Sequence, residues 1–421
     1  MKLKKLSEIQ KQWLLLAFMI YVTFVSMMWK WGLQGDMMFW MTWSKQIYNH
    51  GFSSVYDSGC NYLPAYLYFL YFHTKIQGNL IDIQDNLYTI KYYTFIFDML
   101  GAFLAVWFVR DKFKKVFYFL ILLFNVAYIY NTVMWAQVDA IYTFFGFAAL
   151  IAALERKIIF SILLLFISLN FKLQAIVFIP VIGLILLPQI IIKEGFLKLT
   201  ASFVVCILLE VFILFPFLIH GRLHQIMHVI SGSVGYYPYP AVGAFNVWSI
   251  FLPSQNIESM QLITDDTKFG FISYKNIGFL LFSFTTFLAI FPLVKYLYKK
   301  YINKESEKFS LEKVFLITGL VALNFYFFNT QMHERYAHPV ILLIAAFSFL
   351  SKKFFPLLLA SVAYFLNLEG ICWYLNLHIE TYKTGLLFNP KLVAVLYLLL
   401  IGILYYHLYT EKHTKTSFIE I

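Results

Sequence analysis

The chain has 421 residues, of which 61% are hydrophobic and only 13% are Asp, Glu, Lys or Arg. Its mean hydropathy of +0.71 and its recurring apolar segments exclude an ordinary soluble domain and predict an all-α protein that crosses a membrane many times. The net charge of +11 comes from short basic clusters between apolar segments, which are typical of loops beside anionic lipid and argue against nucleic acid binding.

The apolar segments predict about twelve membrane-spanning helices within a single domain, residues 1–421. In chain order they cover residues 13–29, 86–109, 115–131, 139–154, 158–170, 174–191, 199–218, 276–298, 313–328, 338–350, 354–369 and 391–409. Bulky residues rather than a small-residue cleavage site follow the first segment, so we expect it to remain as an uncleaved span. An even number of spans puts both termini on the same side of the membrane.

The loops differ sharply in charge between the two sides of this predicted topology. The N-terminus, the tail and every second loop together hold about 22 of the 33 Lys and Arg residues. The positive-inside rule makes that side cytoplasmic, with both termini there. Two long loops, 30–85 and 219–275, then face the outside, where we expect the active site. The sparse cysteines suit a bacterial plasma membrane.

The first outer loop begins with Asp36 and continues as the sequence "DMMFWMTWSKQIYNHGF". Its apolar residues recur at spacings of three and four, which predicts an amphipathic helix in the membrane interface that ends at Gly51. The next apolar segment, "YLPAYLYFLYFHTKI", is too short to span and predicts a second interfacial or re-entrant helix. Asp36 could act as a general base towards a hydroxyl group, or it could cap the helix N-terminus.

A second polar cluster, "QMHERYAHP", follows the apolar segment that ends near residue 328. His333, Glu334, Arg335 and His338 could together hold a phosphate leaving group, or they could form a solvated helix entrance with an internal Glu334–Arg335 pair. The spacing of the two histidines is not a specific metal signature, so no obligatory metal or other cofactor is predicted.

Three further polar residues interrupt apolar segments near their predicted outer ends. Lys172 could neutralise a lipid phosphate or extend its charge to the interface. Gln137 and Asp139 could bind substrate hydroxyl groups or cap the fourth span.

A disulfide between Cys60 and Cys372 is possible, because both residues fall on the predicted outer face.

Taken together and in order, several segments resemble the GT-C glycosyltransferases, polytopic enzymes that use polyprenyl-phosphate sugars on the outer face of a membrane. The resemblance, closest to bacterial PIG-V-like mannosyltransferases, rests on "GDMMFWMTWSKQIYNHGFSSVYD", "NYLPAYLYFL", "MWAQVDAIYTFF", "LNFKLQAIVFIPV", "AVGAFNVWSIF" and "QMHERYAHP". It implies transfer of a hexose, mannose or glucose, to an extracytoplasmic glycan, glycolipid or teichoic-acid-like acceptor. It also implies that the configuration of the sugar inverts and that Asp36 is the general base.

The resemblance implies roles for further residues as well. Lys172, His333, Glu334 and Arg335 would bind the phosphate and sugar of the donor. The acceptor side or the cavity wall would include Asn61, Tyr62, Gln137, Asp139 and Asn246. The chain departs from the family pattern in "NYLPAY", where Leu63 stands at a position that is usually proline, and Asp57 is a second candidate acid.

A different function class remains as an alternative at this point: a transporter, flippase or polymerase of cell-surface polysaccharide. Such proteins also have about twelve spans and buried charges. They should carry charges near the middle of the bilayer and short loops on both sides. Here the charges lie near the outer ends of the predicted helices, and the long loops are on that side, which favours glycosyl transfer.

Overall fold

The computed structural model describes residues 7–28, 30, 34–233, 235–254, 257–306, 308–375, 377, 386–410 and 418–419. The part of the chain that the structure describes is mainly helical, at 78%, with almost no sheet. The helices of the first half are α1 Glu8–Met27, α2 Gln34–His50, α3 Pro64–Gln77, α4 Leu80–Asp85, α5 Ile90–Ala105, α6 Lys112–Leu123, α7 Val126–Val133, α8 Asp139–Leu154, α9 Ile158–Phe171, α10 Ile179–Ile190 and α11 Lys193–Leu218. Those of the second half are α12 Leu223–Gly232, α13 Val247–Phe251, α14 Ile257–Met260, α15 Tyr274–Tyr301, α16 Leu311–Phe328, α17 His338–Ser351, α18 Phe355–Cys372 and α19 Pro390–Thr410.

Short 3-10 helices and two-residue strands connect these helices. The 3-10 helices are Phe52–Ser58, Leu87–Thr89, Leu173–Phe178 and Glu334–Ala337. The strands are β1 Ala241–Val242, β2 Lys268–Phe269, β3 Ile272–Ser273, β4 Phe309–Ser310, β5 Met332–His333 and β6 Phe418–Ile419. The pairs β2–β3 and β4–β6 are antiparallel, whereas β1 and β5 are parallel, with Val242 opposite His333. The parallel pair joins the second outer loop to the His333 segment.

The helices support the expected all-α polytopic fold, but they do not confirm twelve spans. A helix lies over each of the twelve predicted segments. In the described part of the chain, seven helical segments are long and apolar enough to cross a membrane, or eight if α6 and α7, bent by 52°, form one broken span. The 14 residues of α17 extend about 21 Å, which is less than the hydrocarbon thickness of a bilayer.

The hydrophobic core is centred on α16 and α17. In α16, 89% of the most apolar 18-residue window is buried, whereas the corresponding fraction is 22% in both α11 and α15. The exposed surfaces of α11 and α15 carry large apolar side chains that suit contact with lipid. The segment between α16 and α17, which contains His333, therefore lies at one end of the most buried part of the molecule.

Local sequence explains the shape of the first outer loop. Gly51 ends α2 with a φ of +88°, a conformation that glycine adopts without strain. Leu63 is the N-cap residue of α3, and Pro64 follows at the first helical position, where its missing N–H has no intrahelical partner to lose. The single proline of "NYLPAY" is therefore sufficient to start this helix.

The cysteine side chains show whether Cys60 and Cys372 form a disulfide. Cys60, Cys206 and Cys372 are all buried free thiols, so Cys60 and Cys372 are not paired in this structure.

Candidate functional site

One cavity of about 480 Å³ lies between the first outer loop, the end of α9, helix α12 and the His333 segment. Six of the ten residues to which the resemblance gives a role line it: Asp36, Asn61, Tyr62, Lys172, His333 and Arg335. These residues come from segments that are as much as about 300 positions apart, so the fold brings them together.

Three of the remaining four predicted residues lie behind the cavity lining and bond to residues that form it. Gln137 and Asp139 are fully buried and bond to lining residues, and Glu334 is buried beside Arg335. Asn246 lies apart from the lining. Its side chain accepts from the backbone N–H of Trp248 at 3.1 Å, which makes it a helix cap.

Asp36 is half-buried in the first turn of α2. The amide of Gln137 donates to its Oδ2 atom at 2.6 Å. Among the hydrogen bonds of the described residues, Asp36 accepts none from a backbone N–H, so it does not make the bond expected of an N-cap. Its second oxygen is thus free of a protein donor in the described part of the chain and can face a hydroxyl group in the cavity.

Lys172 interrupts the helical path between α9 and the 3-10 helix that follows it. Its extended backbone caps α9, and its Nζ atom donates to Oδ1 of Asp139 at 2.6 Å. Asn131 donates to the other Asp139 oxygen at 3.1 Å. Since Nζ carries three N–H donors, Lys172 keeps hydrogen-bonding capacity for a ligand while Asp139 holds it at the cavity wall.

Arg335 provides a second cation. Its Nη1 atom donates to Glu334 at 3.0 Å, and its guanidinium lies 5.0 Å from the ring centre of Trp135 and 5.6 Å from that of Tyr336. The Nε atom has no hydrogen-bond partner in the described protein although it is buried. A guanidinium fixed by ring stacking with donors to spare is well suited to a phosphate group.

The His333 ring lies between Tyr237 and Tyr336, at centroid distances of 4.9 and 5.2 Å. Burial, together with the charges of Arg335 and Lys172, holds the pKa of His333 well below its ordinary value, so the imidazole is neutral near pH 7. It can exchange hydrogen bonds with a ligand but adds no positive charge.

Other charged groups named from the sequence lie away from the cavity lining. His338, expected beside His333, lies inside the helix bundle, with Nε2 3.9 Å from Oδ1 of the fully buried Asp98. Asp57, the second candidate acid, forms two 2.6 Å hydrogen bonds with Arg222. The Asp57–Arg222 pair joins the first outer loop to the start of α12, whereas His338 and Asp98 are too far apart for a hydrogen bond.

Several lining residues were not identified from the sequence. They are mainly aromatic or imidazole side chains: Trp40, Trp43, His224, His228, Tyr237 and Tyr336. The spacing of Asp36, Trp40 and Trp43 along one helix was a usable signal, as was the four-residue spacing of the two histidines on α12. Aromatic residues are too frequent in this chain, at 20%, for composition alone to single them out.

The arrangement combines a carboxylate, two cations and an aromatic wall around one cavity. Such a site can accept a proton from a hydroxyl group and hold a departing phosphate. Among the described residues, no group of three or more His, Cys, Asp or Glu side chains is placed to hold a metal ion.

No protein-family model and no curated protein sequence matches the chain.

Proposed function

We propose that this protein is a membrane glycosyltransferase of the GT-C type. It moves a hexose, mannose or glucose, from a polyprenyl-phosphate donor to an extracytoplasmic glycan or glycolipid. The observation that carries the proposal is the cavity in which Asp36 lies together with Lys172 and Arg335. A base and an anion-binding pair on one wall are what transfer from a sugar phosphate to a hydroxyl group requires.

In the proposed reaction, the free oxygen of Asp36 takes the proton of the acceptor hydroxyl. The hydroxyl oxygen attacks the anomeric carbon and forms the new glycosidic bond. The bond from that carbon to the phosphate oxygen breaks, and polyprenyl phosphate leaves with the electron pair. Attack opposite the leaving group inverts the configuration at this carbon. Gln137, which donates to the other Asp36 oxygen, orients the carboxylate.

Lys172 and Arg335 stabilise the negative charge that grows on the leaving phosphate. Both are held by acidic partners, Asp139 and Glu334, which fix their positions before substrate binds. Neutral His333 adds a hydrogen bond to the phosphate. The isoprenoid tail remains in lipid beside the bundle.

The chain is proposed to act in a bacterial plasma membrane, with both termini in the cytoplasm and the cavity open to the outside. The basic loops support this orientation, because they collect most of the Lys and Arg residues on one side.

The test is sugar transfer by purified protein in lipid nanodiscs, with radiolabelled polyprenyl-phosphate mannose or glucose and a cell-envelope acceptor extract. We expect Asp36→Asn to bind the donor as wild type does but to lose transfer by at least about 100-fold, the range seen for general bases. Asp85→Asn is the matched control, since Asp85 is an exposed acid of the same loop, outside the cavity lining.

Equal transfer by wild type and Asp36→Asn would overturn the assignment of the base. If wild type neither binds nor consumes either donor, the glycosyltransferase proposal fails. Movement of a labelled lipid-linked sugar across proteoliposomes would then test the transporter alternative.

A further inference from the structure

One face of α2 points into the cavity beside Asp36. Asp36, Trp40 and Trp43 are spaced four and three residues apart, which puts them on the same side of the helix, and all three line the cavity. The helical rise puts Trp40 about 6 Å along the axis from the proposed base. Any group that delivers a hydroxyl to Asp36 is therefore beside these rings.

Both indole N–H groups lack a hydrogen-bond acceptor in the described protein. Trp40 and Trp43 are each 1% exposed, and their Nε1 atoms have no partner. A buried donor without an acceptor costs about 1–3 kcal/mol. Two further cavity residues, Arg335 and His333, also carry a buried nitrogen without a partner. Four such atoms thus belong to residues that line one cavity, where a ligand can supply their partners.

Neighbouring rings hold the two indoles in fixed positions. The ring of Tyr62 meets that of Trp40 nearly edge-on, at 4.9 Å and 87°, and lies 5.5 Å from that of Trp43. The two tryptophans are 5.2 Å apart, and Tyr66 lies 4.9 Å from Trp40 on the same cluster. Burial raises the pKa of Tyr62 well above its usual range, so its phenol remains neutral.

The chemistry of this wall suits a sugar ring. A pyranose has apolar C–H faces that pack on aromatic rings and hydroxyl groups that can accept from indole N–H. A glycerol phosphate unit would bring a second anion beside Asp36, and a serine or threonine side chain carries only one hydroxyl for the two N–H groups. Neither would satisfy the two N–H groups as well as a ring with several hydroxyls.

We propose that Trp40, Trp43 and Tyr62 form the acceptor subsite and that the acceptor presents a hexopyranose ring to Asp36. This inference rests on the proposed function and narrows its acceptor class. The donor phosphate is held by Lys172 and Arg335, which line the same cavity. Trp40 and Trp43 are specificity-determining residues, because their N–H groups are satisfied only by a ligand that carries correctly placed hydroxyl groups.

The first measurement is binding of methyl α-mannoside, methyl α-glucoside and glycerol 3-phosphate to protein in nanodiscs, by saturation-transfer NMR. We expect at least one hexoside to bind wild type, and Trp40→Phe and Trp43→Phe to bind it about tenfold more weakly, which is the loss of one hydrogen bond. Phenylalanine keeps the ring packing but lacks the donor. Trp13→Phe is the matched control, since Trp13 packs on Phe103 and Phe119 outside the cavity lining.

The second measurement is transfer kinetics in the same variants. We expect KM for the acceptor to rise about tenfold in Trp40→Phe, with KM for the donor unchanged. Unchanged hexoside binding and acceptor KM in both tryptophan variants would overturn the subsite while transfer that depends on Asp36 still stands. Binding of glycerol 3-phosphate that weakens in these variants as much as hexoside binding does would overturn it as well. Hexoside binding that needs the tryptophans, in a protein with no transfer, would overturn the acceptor role and the proposed function but leave a sugar-binding wall.

Discussion

Gly243 shows how closely the chain segments around the candidate site approach one another. Its φ is +87°, and a Cβ atom added to it would lie 2.2 Å from Oε2 of Glu334. Asn367 fixes this segment from α18, because its amide donates to the carbonyl of Gly243 at 2.8 Å and accepts from the N–H of Phe245 at 3.0 Å. Only glycine fits both the backbone conformation and the available space.

We expect Gly243→Ala to lower the midpoint of thermal unfolding in detergent, because the alanine adds backbone strain of about 1–3 kcal/mol and pushes on the Glu334 carboxylate. The measurement is fluorescence-monitored unfolding. Gly402→Ala is the control, since Gly402 lies within α19 with no atom within 4 Å of the added Cβ, and its midpoint should stay the same or rise. Equal midpoints for the two variants would contradict the steric argument.

At the residue scale, the sequence could predict which polar side chains are unusual but not how they pair. Asp36, Lys172 and Arg335 each interrupt or border an apolar segment, and that local pattern identified them. The bond partner of Asp36 is 101 positions away in the sequence, and Asp139 is 33 positions from Lys172. Such pairs depend on how helices pack, which a local pattern does not contain.

At the scale of elements, the second outer loop is attached to the segment that carries His333. The buried carboxylate of Asp265 accepts from Thr330 at 2.7 Å and from the Gln331 side chain at 2.8 Å. The Gln331 side chain also accepts from the N–H of Gly235 at 2.8 Å, and β1 pairs with β5. The loop and the site segment therefore form one connected unit at the cavity.

We expect Asp265→Ala to weaken this attachment, because it leaves the buried Thr330 hydroxyl and the Gln331 amide without their acceptor. Loss of hydrogen bonds to a charged group costs about 1.5–3 kcal/mol. The measurements are the midpoint of thermal unfolding and the rate of proteolysis within residues 235–275. Asp266→Ala is the matched control, since Asp266 is the next residue and is exposed. Equal proteolysis of both variants would show that Asp265 does not hold the loop.

A hydropathy pattern does not show where one apolar segment is broken into two helices. Residues 115–131 read as one continuous span, yet α6 and α7 meet there at 52°. Asn125 stands at the break and caps α7, its side chain accepting from the N–H of Ala127 at 3.1 Å. One polar residue inside an apolar segment was the available signal, but whether it caps a new helix or bonds within a continuous one depends on its neighbours.

At the scale of the whole molecule, the proposed orientation rests on charge and hydropathy. The poorly buried helices α11 and α15 suit contact with lipid, and the positive-inside rule predicts that the basic loops are cytoplasmic. The side of the membrane on which the cavity opens follows from this orientation. Determining on which side of the membrane two loops lie therefore tests directly where the proposed chemistry takes place.

We expect a cysteine in place of Asp85 to react with a membrane-impermeant maleimide in intact cells, and a cysteine in place of Lys157 to react only after permeabilisation. Both positions are exposed. We expect little background labelling of the unsubstituted protein, because its three thiols are buried and burial raises the pKa of Cys60 to about 12. The reverse labelling pattern would put the cavity on the cytoplasmic face, where a polyprenyl-phosphate donor would have to be used before it crosses the membrane.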